Sequence, residues 1–322
     1  MHGKKQHLCI LPPNWIGDAI MAQPAMQALC RSHEGSVSIV GQSWLATLLP
    51  YLNLGNAAYT DTIPPDADQA VLFPNSFRSA WNAWRTGVPE RIGFSGQWRS
   101  LLLTHALKPC INMANEHHRH YFLDLVEQIS TPVQDPEVQL AVPEAEARTG
   151  QKKITELGLD PARTVCVAPG AQFGGAKRYS SDSYAKVLAG LSEEGWQLLL
   201  LGTQEERSIA NACLTGVHGK YWNAAGKTSL SQALQMLAAC RLLLCNDSGL
   251  MHVAAGMGKP VIAIFGATDP ARTAPSGPKV RLLYHPADCS PCLKRNCAVP
   301  DHPCMANTEP EEVLAACLEV LG

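Results

Sequence analysis

The chain has 322 residues, of which 46% are hydrophobic and 17% charged, with a net charge of −2. That is about two domains' worth of chain with enough apolar residues for buried cores. The balance excludes a globally basic nucleic-acid coat, and no apolar run approaches the roughly 20 residues of a membrane helix. The opening MHGKKQHLCIL reaches structure too soon for a signal peptide, so a soluble cytoplasmic protein is expected. The segment HLCILPPNWIGDAIMAQPAMQALC then reads as a short strand, a Pro-rich loop and a helix. SVSIVGQ and AVLFPNS follow as further strands. Residues 130–147, STPVQDPEVQLAVPEAEA, break the pattern with prolines and acids. We place the domain boundary there, with domains at 1–150 and 151–322. GQKKITELGL begins a helix, and TVCVAPGAQFGGAKRYSSDSYAKVLAGL then repeats the opening plan of strand, loop and helix. QLLLLGTQ, RLLLCNDS and PVIAIFGAT are three more strands. These strands are continuous apolar runs, as expected when both faces are buried in a parallel sheet flanked by helices. An α/β chain with two Rossmann-like domains follows. TEPEEVLAACLEVLG closes the chain as an amphipathic helix, with Thr308 as N-cap and Pro310 in its first turn.

In open parallel sheets ligands bind beyond the carboxyl ends of the strands, so those loops are the ones to read. After the first strand, Gly17 removes a side chain where backbone must come close to something. Asp18 beside it is either a carboxylate favoured by a helix start or a general base at a cleft mouth. After CVA, the loop PGAQFGGAKRYS exposes backbone amides, and Lys177 and Arg178 suit an anion. It is not a phosphate P-loop: Ala176 stands where the lysine belongs. In NDSGLMHVAAGMG, Asp247, Ser248 and Gly249 turn the chain into a helix whose first amides favour an anion, and His252 lies one turn in. Taken singly, these residues read as a capped turn and a surface histidine. Beside a Lys/Arg loop they read as a diphosphate site. Glu206, in GTQEERS, is either placed to accept from ribose hydroxyls or is an exposed acid at a helix start.

Residues 71–120 hold six Lys or Arg (Arg78, Arg85, Arg91, Arg99, Lys108, Arg119) against Glu90 and Glu116, with Trp81, Trp84, Phe94 and Trp98 among them. Such a stretch suits a negatively charged membrane surface. The HHRHY run with Arg119 and His120 belongs to the same group. A solvated amphipathic helix is the plainer alternative. Of twelve cysteines, Cys289, Cys292, Cys297 and Cys304 cluster, and the first pair has the spacing of a structural zinc site. A metal-free thiol cluster is the other reading.

NWIGDAIM, PGAQFGGAKR, NDSGLMHVAA and FGATDP, in that order, resemble the ADP-heptose:lipopolysaccharide heptosyltransferases, glycosyltransferase family 9. LFPNSFRSA, GVPERIGFSG and the cysteine tail extend the resemblance over nearly the whole chain. The match is nearest to the members that add the second inner-core heptose. The resemblance implies a GT-B fold, two Rossmann-like domains facing across a cleft. The first domain would receive the acceptor, an anionic sugar chain on a lipid, with Arg78, Arg119 and His120 as contacts; the second would hold ADP-heptose, and the last helix, about 308–321, would pack back on the first. It implies an inverting transfer with Asp18 as base and Lys177 as the phosphate-binding lysine. Glu206 would contact ribose, and Asp247, Ser248, Gly249 and His252 would form the diphosphate turn. With no DxD-like motif, no obligatory catalytic metal is expected. A transferase adding the first heptose, another nucleotide-sugar enzyme of the same fold and a non-catalytic nucleotide-binding protein are the alternatives. Nucleic acid is not an expected partner.

Overall fold

The computed structural model describes residues 6–112, 114, 116–130, 133–134 and 136–322. Of the segments read above, residues 1–5 of the opening and Thr131, Pro132 and Asp135 of the Pro-rich break lie outside the described residues. The chain divides into two compact units, Met1–Ala141 and Val142–Gly322.

The first unit runs β1 (His7–Leu11), α1 (Ile16–Met21), α2 (Gln23–Ser32), β2 (Ser36–Val40), α3 (Trp44–Leu48), β3 (Ala58–Thr60), β4 (Gln69–Leu72), α4 (Phe77–Arg85), β5 (Glu90–Phe94), β6 (His105–Leu107) and α5 (His118–Glu127). Its six strands are parallel, in the order β3-β2-β1-β4-β5-β6. Cys9, Ile10, Ala70, Val71 and Leu72 are fully buried at its centre. The single helix read over the first βα segment is two. Ala22 ends α1 and opens α2, because Pro24 in the first turn of α2 has no N–H to continue the ladder.

The second unit runs α6 (Glu144–Glu156), β7 (Thr164–Ala168), α7 (Ser181–Glu193), β8 (Gln197–Leu200), α8 (Arg207–Ala212), β9 (Tyr221–Asn223), α9 (Leu230–Ala239), β10 (Leu242–Asn246), α10 (Gly249–Gly256), β11 (Val261–Phe265), α11 (Pro270–Thr273), β12 (Val280–Tyr284), α12 (Pro303–Ala306) and α13 (Pro310–Leu321). Its parallel sheet has the order β12-β11-β10-β7-β8-β9, so each unit repeats one topology with a switch point beside its first strand. The three central strands β7, β10 and β11 are buried at every residue. Each Leu, Ile or Val there contributes about 1.5–3 kcal/mol of apolar burial.

The division at Ala141/Val142 comes nine residues before the expected boundary. The reason is α6: its Gly150 lies so close to α9 that a Cβ would run into the Gln235 carbonyl, and Glu146 accepts a 2.6 Å bond from Gln235. The helix therefore packs with the second unit. The final helix α13 buries Val313, Ala316, Cys317 and Leu321 in the second unit's core against α7, β10 and β11. Its N-cap is Glu309, not Thr308. Thr308 is buried just outside the helix, and its carbonyl accepts a 2.7 Å bond from the Tyr179 hydroxyl. No helix among the described residues is long and apolar enough to cross a membrane.

Candidate functional site

In the second unit, the loops after β7 and β10 lie on either side of the switch point, and Asn246 joins them. Its amide nitrogen donates to the carbonyls of Pro169 (2.7 Å) and Gly170 (3.2 Å). Its amide oxygen accepts from the Tyr179 N–H (3.1 Å) and the Tyr184 hydroxyl (3.0 Å). The side chain is fully buried, so all four bonds are made away from water. One residue thus fixes both ends of the glycine-rich loop 170–178. The sequence signal for it was a polar residue ending a wholly apolar strand, and the sequence reading passed over it.

The loop carries Lys177 to the start of α10. Its Nζ donates to Asp247 Oδ2 at 2.5 Å, and the Thr268 hydroxyl donates to the same oxygen at 2.6 Å. Asp247 is buried and Lys177 nearly so, which strengthens the attraction and makes either partner costly to strand. Ser248 is the N-cap of α10, yet its hydroxyl caps no amide of the first turn and is buried without a hydrogen-bond partner. His252, read as a surface histidine if it stood alone, is buried at the end of that turn. The dipole of α10 and the Lys177 ammonium both favour a negative group there. Arg178 lies back over Gly175, and its Nη2 would meet a Cβ at that glycine.

Glu206 closes the other side of the loop. Its Oε2 accepts from the Thr203 N–H at 2.8 Å, and its carboxylate fills the space that a side chain at Gly170 would take. The carboxylate is therefore held at the mouth of β7 and β8, where Gly170 leaves room for it.

The cysteine tail also belongs to this neighbourhood. The Arg295 carbonyl accepts from the Ala176 N–H at 3.0 Å, and His302 Nε2 pairs with the Ala176 carbonyl at 2.9 Å. Phe173 lies within cation–π range of both Lys177 (4.9 Å) and Arg295 (5.2 Å). Gly174 has φ +154°, and a Cβ there would run into the Arg295 carbonyl oxygen, so only glycine fits. Cys289 is exposed, Cys292 and Cys297 are half-buried, and Cys304 is buried under Gly266. Burial pushes the Cys304 thiol up, and Cys289, Cys297 and Cys292 lie near enough to add to the rise. Even so, no group of three or more His, Cys, Asp or Glu among the described residues is placed to hold a metal ion. Of Cys289, Cys292, Cys297 and Cys304, Cys304 is drawn into the core, Cys292 and Cys297 are half-buried and Cys289 is exposed.

In the first unit, Gly17 and Asp18 lie in the first turn of α1, beyond the carboxyl end of β1 at that sheet's own switch point. Asp18 is half-buried, and no side chain caps the helix. Of the acceptor-side residues, Arg78 is exposed on α4. Arg119 is held by Glu137 at 2.6 Å and His120 by Glu116 at 2.8 Å. The basic stretch is less free than its composition implied. Arg99 is wholly buried, with Nη1 donating to the Pro74 carbonyl, and Arg91 is tied to the Leu102 carbonyl at 2.7 Å. Phe94 is a core residue, packed 4.6 Å from the Tyr121 ring.

The sequence profile of glycosyltransferase family 9 (heptosyltransferase) matches residues 64–302. The lipopolysaccharide heptosyltransferase 2 of Escherichia coli is 29% identical over 95% of this chain and 96% of its own. The lipooligosaccharide heptosyltransferase 2 of Haemophilus ducreyi is 30% identical over 83% of this chain and 85% of its own. The solved structure of the E. coli ADP-heptose lipopolysaccharide heptosyltransferase II superposes with a TM-score of 0.80 at 26% identity, covering 98% of both chains. The two six-stranded units are thus those of the GT-B fold.

Proposed function

Since the chain belongs to glycosyltransferase family 9, the heptosyltransferases, we propose that it transfers L-glycero-D-manno-heptose from ADP-heptose to the inner-core heptose of lipopolysaccharide. The observation that carries this reading is the similarity to type 2 heptosyltransferases over nearly the whole chain. The second unit's loops supply a site of matching chemistry, with a lysine, a helix start and a carboxylate gathered round a glycine-rich turn.

In this reading an acceptor hydroxyl oxygen bonds to C1 of the heptose as the C1–O bond to the β-phosphate breaks, and the anomeric centre inverts. Asp18 takes the hydroxyl proton. ADP leaves with growing negative charge on its diphosphate, which Lys177, His252 and the amides following Asp247 stabilise. Asp247, itself fixed by the Thr268 hydroxyl, holds the Lys177 ammonium in place before the donor arrives, so little reorganisation is needed during the reaction. Arg178 adds a second cation to the loop, Gly17 and Gly249 let backbone approach the substrate, and Glu206 accepts from the ribose hydroxyls. Arg78, Arg119 and His120 are the acceptor-side contacts. The enzyme works at the cytoplasmic face of the inner membrane, where a lipid-borne acceptor is met.

A coupled ADP-release assay with ADP-heptose tests this, using inner-core acceptors that carry no heptose or one. Release only with the one-heptose acceptor is the expected result. Release only with the heptose-free acceptor would reassign the chain to the first addition, and no release with either would overturn the transfer.

A further inference from the structure

Helix α4 is turned inside out relative to the usual order of side chains. It buries Ala80 and Ala83 and leaves Phe77, Trp81 and Trp84 outside, at 45%, 41% and 47% exposure. These three rings follow at i, i+4 and i+7, so they form one stripe. Phe77 stacks on Trp81 at 6.2 Å, and Trp81 meets Trp84 at 4.9 Å. Isolated exposed apolar residues need no explanation, but a contiguous aromatic ladder does.

A second segment extends the ladder. After β5 the chain passes through Gln97 (φ 48°) and Trp98 (φ 62°), two successive left-handed residues that are not glycine. The outcome is that Trp98 is 85% and Leu101 87% exposed, while Arg99 between them is wholly buried. Arg99 donates to the carbonyl of Pro74, three residues before α4 begins. The buried arginine therefore anchors this strap beside the first turn of α4 and holds Trp98 and Leu101 outward. Backbone strain of this kind persists only where the surroundings enforce it.

The charge around these rings has one sign. Arg78 and Arg85 are exposed on α4, neither makes an ion pair among the described residues, and α4 contains no acid. The only acid between Phe77 and Leu101 is Glu90, which accepts from Gln69 at 2.8 Å.

We propose that α4 and the strap 96–102 form a docking surface for a bilayer with anionic headgroups. The aromatic rings settle at the level of the headgroups, where their amphipathic character is favoured. Arg78 and Arg85 meet lipid phosphates. A second copy of the chain fits less well, because symmetric pairing would set both arginines against their own images. The proposal deepens the membrane placement given above and rests on it. Its test needs neither donor nor acceptor, so it can fail while the transfer stands.

The test is co-sedimentation of the full chain with vesicles of phosphatidylcholine alone, and of phosphatidylcholine mixed with phosphatidylglycerol. The chain is expected to pellet with the mixed vesicles only, and to be released by high salt. R78Q/R85Q is expected to weaken binding about 30-fold, or roughly fivefold for each arginine near the surface. W81A/W84A is expected to abolish pelleting while the circular dichroism spectrum stays that of the folded chain, and W98S/L101S to weaken it independently from the other segment. Wild-type chain that stays in the supernatant with anionic vesicles, or variants that pellet like wild type, would overturn the proposal. So would W81A/W84A turning a dimer into a monomer, which would give the face to a second copy.

Discussion

The Lys177–Asp247 pair holds the loop, and in the proposed transfer its lysine also stabilises the departing diphosphate, two roles that a single substitution confounds. The side chains are only 14% and 6% exposed, and apart from Lys177 the carboxylate is bonded to the Thr268 hydroxyl. Lys177→Met keeps the length and removes the charge, which strands Asp247 in a place from which water is largely excluded. Breaking a buried pair from one side costs about 3–5 kcal/mol. For a unit of this size each kcal/mol moves the melting temperature by roughly 2–4 °C, so K177M should melt about 6–20 °C below wild type. Asp247→Asn, which can still accept from Thr268, should cost less. The double variant K177M/D247N should return to within about 1 kcal/mol of wild type, since neutral residues of similar shape replace a buried pair at little cost. The coupling between the two sites should then be at least about 2 kcal/mol. Turnover should not return with stability, because the double variant still lacks the cation at the diphosphate and should stay about 10²–10³-fold slow. Thermal melts followed by circular dichroism, together with the ADP-release assay, read both quantities. K177M melting with wild type would refute the buried-pair argument. Wild-type turnover by the double variant would refute the role of Lys177 in the reaction.

Asp18→Asn should lower kcat about 10²–10⁴-fold while the KM for donor holds, and near-wild-type turnover would remove Asp18 as the base. Asn246→Ala leaves the Tyr184 hydroxyl and two backbone carbonyls without their buried partner. At about 1–3 kcal/mol for each stranded group, denaturant unfolding should show a loss of at least about 3 kcal/mol. Gly174→Ala should push the glycine-rich loop off the Arg295 carbonyl. The KM for donor should rise, and limited proteolysis should begin to cut within 289–304. Alkaline unfolding should follow the buried acids of the second unit. Burial raises Cys213 from 9.0 to about 11, Cys317 from 9.0 to about 12 and Tyr179 from 10.0 to about 12. The folded state keeps these protons longer than the unfolded chain does. Stability is therefore fully present below about pH 9 and falls as pH rises towards about 12. A pH series of melting temperatures that stayed flat across that window would contradict the assignment.

The sheets were legible where strands are continuous apolar runs, as in β1, β2, β4, β7, β8, β10 and β11. The remaining strands, β3, β5, β6, β9 and β12, are mixed in character, and their neighbours in the sheet, not their own residues, make them strands. The loops of the site were found because glycine, a charged residue and a helix start fell together after such a run. Asn246 was missed because its importance lies in four partners scattered up to 77 residues away. In the tail, spacing shows only which thiols are near in sequence, not that Cys304 is drawn into the core. That Arg295 and His302 grip the loop at Ala176 depends on the tertiary fold alone. The basic stretch at 71–120 misled in the same way: composition counts Arg99 as a surface charge, and the structure uses it as an internal strut.

The grip on Ala176 has a bearing on the order in which the molecule matures. His302 and Ala176 are 126 residues apart, and Tyr179 and Thr308 are 129 apart. As the ribosome delivers the chain, β7 and its loop emerge long before the segment that fastens them. A nascent chain that has already completed β10 would own Lys177, Asp247 and Asn246 but would lack the clasp over Phe173 and Ala176. The loop that presents Lys177 is thereby fastened only after the segment carrying Arg295 and His302 has been translated.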